Sequence, residues 1–338
     1  MSGRCGPREG TSKMSTEPAS VSAAVWAHAP AALTRHAVSG ATMGTRYAAV
    51  FHARSVSTEA VETALQTAVD AVDRQMSTWK PESDLCRFNR APTGEWVDLP
   101  PELLSVMEAA LEVERQSGGA FDAGVGAIVD AWGFGPNVDA GDPAALGGAG
   151  KRARAAAAVD LDVAAGRARK RAPLALDLCG IAKGFGVDQM ARCLEEFGID
   201  SYLVSIDGEV RAGAPKPDGL PWSVAVETPD RTARDVAAVL EMSSGAAATS
   251  GDYRHWRQVD GRIVSHTIDP RTDRPVAGRV ASVTVLGPDC MRADAWATAL
   301  MVLGEQDGPA LAAARGMDAL FMVRAGAGHE QVGTGIFG

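Results

Sequence analysis

The chain reads as α+β: one large domain over residues 34–338, built from antiparallel or mixed sheets flanked by helices, behind an N-terminal tail over 1–33. Three observations predict this. Apolar residues alternate with a period of two in Tyr202–Ile206 and in Val280–Leu286, the mark of half-buried strands. Others recur at helical spacing, as Val61, Leu65, Val69 and Val72 do. Strands and helices then alternate irregularly, with tight hairpins, which a regular series of βα units would not give. A hydrophobic fraction of 46% in 338 residues supplies a sizeable core.

Residues 1–33 are rich in Ser, Ala, Gly and Pro and are expected to be disordered. Val21 to Leu33 is alanine-rich and follows basic residues, as a signal peptide would. Glu17 precedes it, however, Trp26, His28 and Pro30 interrupt it, and no lipid-carrying cysteine follows, so a cytoplasmic protein is expected. No apolar run reaches about 18 residues, so no transmembrane helix is expected. His36–His52 predicts two short strands around Thr42-Met43-Gly44-Thr45. Val56–Met76 predicts a helix capped by Ser57 or Thr58. Met76 to Asn89 reads as a polar loop carrying Trp79. Pro101–Gln116 predicts a helix, with proline in its first turn and Gly118-Gly119 past its end. Gly118–Gly126 and Trp132–Gly135 are glycine-rich and hydrophobic together, which suits either close approach to a flat ligand or tight turns. Asn137–Arg154 reads as a surface excursion.

Leu174 to Met190 organises the rest. Leu174, Leu176 and Leu178 alternate as in a strand, Gly180 breaks the pattern, and Ile181, Phe185, Met190, Leu194 and Phe197 then follow a helical spacing ending at Gly198. Gly180 to Lys183 therefore lie where a helix begins. Unpaired N–H groups, the helix dipole and the Lys183 ammonium suit phosphate oxygens, although a strand–turn–helix joint with a solvated lysine is an equal reading. Glycines 180, 184 and 186 fit neither the dinucleotide fingerprint nor a P-loop. Beyond this, Tyr202–Ile206 and Glu209–Ala212 form a hairpin across Asp207-Gly208. Trp222–Glu227, Ala237–Met242, Ala246–Thr249 and Val280–Leu286 are further strands. Thr249–Tyr253 and Ser265–Arg271 read as polar loops. Met291–Leu303 predicts a helix stopped by Gly304, and 305–323 one more helix and strand.

A net charge of −9 argues against a nucleic-acid partner, so an anionic ligand must be held by local devices such as helix ends, a lysine or a metal. Five cysteines without a CxxC fit reduced thiols, and the six histidines show no zinc spacing. On the helix from Met291, Asp294 and Thr298 stand four apart and share a face. They could take two positions on a hard cation such as Mg²⁺. Alternatively Asp294 offsets the helix dipole and Thr298 bonds back to a carbonyl.

Eight motifs then fall in one order: Met43-Gly-Thr, Met76-Ser-Thr-Trp, Gly118-Gly-Ala-Phe-Asp, Trp132-Gly-Phe-Gly, Asp177-Leu-Cys-Gly-Ile-Ala-Lys-Gly, Thr249-Ser-Gly-Asp-Tyr, Ser265-His-Thr-Ile-Asp-Pro-Arg and Ala293-Asp-Ala-Trp-Ala-Thr298. Each is weak alone, but the series resembles the FAD:protein FMN transferases, the ApbE family, from about residue 36 to 323. The resemblance implies an ApbE-like catalytic domain related to the T-fold. It implies a Mg²⁺-dependent enzyme, with Mn²⁺ an alternative, that cleaves the pyrophosphate of FAD. FMN would pass to a Thr or Ser hydroxyl of an acceptor protein bearing a Ser/Thr-Gly-Ala-Ser/Thr-type motif, and AMP would leave. Asp294, Thr298 and the carbonyl of Gly180 would hold the metal, and Lys183 would add charge on the pyrophosphate. Asp177 and Asp122 would bond polar groups of FAD. Met43 and Trp79 would pack on its rings, with Ala120 and Phe121 completing that wall.

His266 is the candidate base for the acceptor hydroxyl, with a pKa expected near 6.5; alternatively it bonds Asp269 or backbone and shapes its loop. Trp79 stands where a tyrosine is common and Thr267, which would line the flavin site, where an apolar β-branched residue is. Asp207 and Asp273 replace usual glycines. Many relatives are exported lipoproteins, and that signal is lacking here. Two alternatives stay open: an FAD pyrophosphatase yielding FMN and AMP, and a non-catalytic FAD-binding protein, against which Asp294, Thr298 and Lys183 speak.

Overall fold

Tyr47, Ala49, Phe51 and Ala53 are buried while their neighbours are not, and the same alternation in Tyr202, Val204 and Ile206 builds the inner face of a sheet. A computed structural model describes residues 33–137, 152–232, 234–259, 261–326 and 328–338. The expected tail and most of the 137–154 excursion lie outside the described residues.

The first half runs β1 (Thr34–Thr42), β2 (Thr45–Ala53), α1 (Thr58–Met76), α2 (Asp84–Arg90), β3 (Val97–Asp98), α3 (Pro101–Gln116), α4 (Gly126–Ala131), α5 (Ala155–Ala158), β4 (Val159–Asp162) and β5 (Arg167–Lys170). Next come α6 (Ala182–Glu196), β6 (Tyr202–Ile206), β7 (Glu209–Ala212), β8 (Trp222–Glu227), β9 (Val236–Met242), β10 (Gly245–Gly251), β11 (Trp256–Val259), β12 (Arg262–Ser265), β13 (Ile268–Asp269) and β14 (Arg274–Pro275). The chain closes with β15 (Val280–Gly287), α7 (Cys290–Ala314), β16 (Ala319–Ala325) and β17 (Gly328–Thr334). Within α7, Gly304 leaves helical geometry (φ 80°, ψ −168°), so the helix stops where the sequence places its end and a second begins at once.

Eight strands form one antiparallel sheet in the order β1-β2-β6-β7-β10-β15-β16-β17. On one face lie α1, α6 and α7, enclosing the main core with Phe51, Leu65, Phe185, Val204 and Leu300. The other face carries the β8–β9 hairpin, whose Trp222, Leu240 and Met242 pack on Ala212, Ala247 and Leu320. The predicted α+β class is the one found.

Three local readings need correction. Leu174–Leu178 is not a strand: it is extended, with a single parallel bridge between Ala175 and Val125. Its polar groups go elsewhere, because Asn89 donates to the Leu176 carbonyl (2.8 Å) and accepts from its N–H (2.8 Å), while Asp177 N–H donates to the Ala123 carbonyl (2.7 Å). Leu176 and Leu178 are still buried, which is what the alternation records. The 76–89 loop contains helix α2, started by Ser83, whose hydroxyl accepts from Cys86 N–H, and held by buried Leu85 and Phe88. Strand β10 runs on past its expected end at Thr249 through Ser250 and Gly251, part of the segment read as a loop, so the Ser250 side chain is fixed on a strand.

Candidate active site

Helices α6 and α7 meet at glycine. A Cβ on Gly184 would strike the carbonyl of Cys290 and stand 2.9 Å from Asp294 Cβ, so only glycine permits this approach. The same residue donates its N–H to Asp294 Oδ2 (3.0 Å). Asp188, one turn on, accepts from Cys290 N–H (3.0 Å), Met291 N–H (2.9 Å) and Arg211 (2.7 Å), capping α7 from α6. The helix bearing Asp294 and Thr298 is thus locked to the one bearing Lys183.

Around that joint the predicted residues gather. A Cβ on Gly180 would lie 3.2 Å from Thr298 Oγ1 and 3.3 Å from the Phe121 ring, so glycine, threonine and aromatic wall meet there. Thr298 Oγ1 shares a hydrogen bond with Ser250 Oγ (2.9 Å), which can take its proton and leave the Thr298 lone pairs outward. Thr298 bonds β10, not a carbonyl of its own helix, while Asp294 accepts from an N–H in the first turn of α6. Met43 sits in the two-residue turn between β1 and β2 with φ 45°, followed by Gly44 at φ 72°, the geometry such hairpins require. A left-handed methionine costs about 1–2 kcal/mol. Its Cε lies 3.0 Å from where a Cβ on Gly186 would stand, so the thioether lies over α6.

Charge at the joint is unbalanced. Lys183 Nζ donates to Glu209 Oε1 (2.8 Å) and stands 3.6 Å from Asp207 Oδ2. Burial would lower the lysine's pKa, but Glu209, Asp294 and Asp207 drive it up, so it stays charged. Asp294 is only 3% exposed, and burial followed by the charge of Glu209 pushes it up to about 8. Three acidic side chains thus act on one ammonium.

Those groups fit a hard divalent cation. The candidate donors Asp294, Thr298 and Gly180 are all oxygen, and a buried carboxylate with an elevated pKa is one that a cation would return to its charged form. Among the described residues no three His, Cys, Asp or Glu side chains gather as a metal site, so such an ion would depend on the hydroxyl and carbonyl donors.

His266 follows β12 and is half-buried. Its Nδ1 lies 3.0 Å from the His255 carbonyl, which can only accept, so Nδ1 carries the proton and Nε2 the lone pair. Phe134 and His255 pack edge-on to the ring at 6.4 and 5.3 Å. Burial first, then His255, pushes its pKa down to about 4, below the 6.5 expected from the sequence; Lys183 also acts on it. The loop alternative is met in part, since Nδ1 bonds backbone; Asp269 is taken by Arg271 (2.9 Å).

Other predicted residues are less engaged. Asp177 is buried with a raised pKa, burial outweighing the N–H of Cys179 (2.8 Å). Asp122 Oδ1 accepts from Gly124 N–H (2.7 Å) and Ala155 N–H (3.2 Å), while its buried Oδ2 pairs with Arg152 (2.8 Å) but has no hydrogen bond among the described residues. Ala120 is buried beside Phe121, and Thr267 is buried with its N–H on Ser265 Oγ (3.1 Å). Trp79 is 62% exposed. Sequence reasoning missed Ser250, Glu209 and the His255 carbonyl. Two of them left a signal: Ser250 lies in the Thr249-Ser-Gly-Asp-Tyr motif, and Glu209 is a charged residue opposite Ile206 in the hairpin register.

Comparison with known proteins gives one picture. Residues 43–321 match the ApbE family model. A curated relative from Vibrio cholerae, named FAD:protein FMN transferase, is 37% identical over 304 residues, covering 89% of this chain and 91% of its own. One of the same name from Klebsiella pneumoniae is 33% identical over 306 residues, covering 88% and 87%. Among solved structures, the flavin transferase ApbE of Vibrio cholerae superposes with a TM-score of 0.78 at 35% identity, over 89% of this chain and 97% of that one. The apo flavinyl transferase ApbE of Pseudomonas stutzeri does so at 0.80 and 33%, over 91% and 96%. The joint of α6 and α7, with Gly180, Lys183, Asp294 and Thr298 converging on it, is therefore that of a chain that belongs to the ApbE family.

Proposed function

We propose that this protein transfers the FMN moiety of FAD to a Ser or Thr hydroxyl of an acceptor protein and releases AMP. The convergence of Gly180, Lys183, Asp294 and Thr298 at one helix joint, with a neutral histidine nearby, carries the reading. The acceptor oxygen attacks the phosphorus of the FMN half, the P–O bond to the AMP half breaks, and AMP leaves with the bridging oxygen. His266 Nε2 takes the hydroxyl proton; Nδ1, tied to the His255 carbonyl, keeps the ring in that tautomer. Lys183 bonds the pyrophosphate oxygens, and Phe121 and Met43 wall the flavin side. Asp294, Thr298 and the Gly180 carbonyl would hold Mg²⁺ or Mn²⁺. When bound, such an ion offsets the charge that develops during phosphoryl transfer, where positioning and neutralisation supply most of the catalysis.

AMP release with and without candidate acceptors tests this. The proposal expects AMP to appear with FAD and Mg²⁺ only when a protein bearing a Ser/Thr-Gly-Ala-Ser/Thr-type motif is present. AMP release at the same rate without acceptor would make the protein an FAD pyrophosphatase. No AMP under any condition would leave it an FAD binder.

A further inference from the structure

Glu209 has no part in the chemistry above, yet it is the most deeply buried charged residue among those described. It opens β7, is 1% exposed, and places Oε1 2.8 Å from Lys183 Nζ. Its Oε2 is buried with no hydrogen-bond partner among the described residues. A buried carboxylate satisfied on only one oxygen costs stability. The lysine side chain, by contrast, is 29% exposed, so part of it stays accessible while the buried Glu209 pairs with its ammonium. It has three N–H donors. One goes to Glu209, and Asp207 at 3.6 Å is beyond ordinary hydrogen-bond length, so donors remain for an incoming anion. The backbone at this turn is already fixed by the Gly184 N–H bond to Asp294, leaving the four-carbon lysine stem as the mobile part.

Resting on the transfer reading above, we propose that Glu209 is a positioning residue: it fixes the Lys183 ammonium where it meets the pyrophosphate of FAD, and so sets FAD affinity without touching FAD. The step involves no covalent change.

The test is a double-mutant cycle on FAD binding, followed by flavin fluorescence in EDTA so that turnover does not intervene, with thermal unfolding of each variant. Losing a charge-assisted hydrogen bond to phosphate should weaken binding by roughly 10–100-fold in Lys183→Ala. Glu209→Ala should approach that loss, and the double variant should bind no more weakly than Lys183→Ala alone. Glu209→Gln keeps an acceptor for Nζ and should bind FAD within about threefold of the parent. Normal binding by Glu209→Ala beside a weakened Lys183→Ala, or additive losses in the double variant, overturns the inference. So does a Glu209→Gln variant that loses stability and affinity together with Glu209→Ala. Normal FAD binding by Lys183→Ala would instead remove the lysine from the pyrophosphate, and the transfer reading would lose that contact first.

Discussion

Replacing His266 with alanine separates a base from a loop-shaping residue. The Nδ1 bond to the His255 carbonyl leaves Nε2 as the basic atom, and a pKa pushed down to about 4 keeps the ring neutral at pH 7. That readiness has a cost: a base so far below neutrality accepts a proton with little driving force. The variant should therefore lose transfer rate near the lower end of the usual range for positioned acid–base groups, about 10²-fold. FAD affinity and thermal stability should barely change, since the Nδ1 bond is the only hydrogen bond lost among the described residues. The sign for pH follows from the lowered value. Activity is present above it and is lost as pH falls through about 4, so with Mg²⁺ saturating at every pH, kcat/KM, which reports the free enzyme, should stay flat from pH 8 to about 5.5. Binding FAD brings phosphate charge near the ring and raises its pKa, so the acid limb of kcat should lie higher than that of kcat/KM. The assay is FMN transfer to an acceptor across that pH range for parent and variant. A limb in kcat/KM near 6.5 that vanishes in His266→Ala would refute the effect of burial on the ring. A variant with near-parent transfer would remove His266 from the mechanism.

Asp294 is shifted the other way, although it too must lose its proton to act. Its carboxyl is pushed up to about 8 and must ionise to bind a cation, so the Mg²⁺ concentration for half-maximal activity should rise up to about tenfold per pH unit below 8; a pH-independent requirement, or full activity in EDTA, would contradict the assignment. Asp294→Ala should abolish turnover while leaving a folded protein, checked by circular dichroism. Gly184→Ala places a methyl group against the Cys290 carbonyl and should cost about 1–3 kcal/mol in denaturant unfolding, with loss of activity; parent-like stability would show that the helices can part freely. Trp79→Ala, at a site 62% exposed, should change stability by less than about 0.5 kcal/mol while weakening flavin binding if its ring covers the isoalloxazine; unchanged FAD affinity would strike it from the site.

Most of the fold was legible because its elements carry strong local signals. The Thr42–Thr45 turn, the Ser57 cap, the Pro101 start, the Asp207-Gly208 hairpin and the Gly304 stop all stand at or within two residues of where the sequence puts them. The errors share a cause. Leu174–Leu178 alternates because Leu176 and Leu178 are buried, but burial does not specify what the backbone pairs with, and here a side chain, Asn89, takes the place of a strand. Helix α2 is only seven residues long, too short for periodicity to register. In the site, motif order pointed to Gly180, Lys183, Asp294 and Thr298, and tertiary packing brings them together. Glu209, Ser250 and the His255 carbonyl act through partners 26, 48 and 11 residues away, and no local pattern encodes such pairings. The shift of His266 to about 4 likewise comes from burial and a neighbouring imidazole that the sequence does not place.

The central claim is tested most directly by the mass of the acceptor. The protein would be incubated with FAD, Mg²⁺ and a candidate acceptor carrying a Ser/Thr-Gly-Ala-Ser/Thr-type motif, and the denatured acceptor weighed intact and after proteolysis. The account predicts an acceptor heavier by one FMN less one water, located on a single Ser or Thr, with one AMP released for each. An acceptor of unchanged mass while FAD is converted to free FMN and AMP would contradict it.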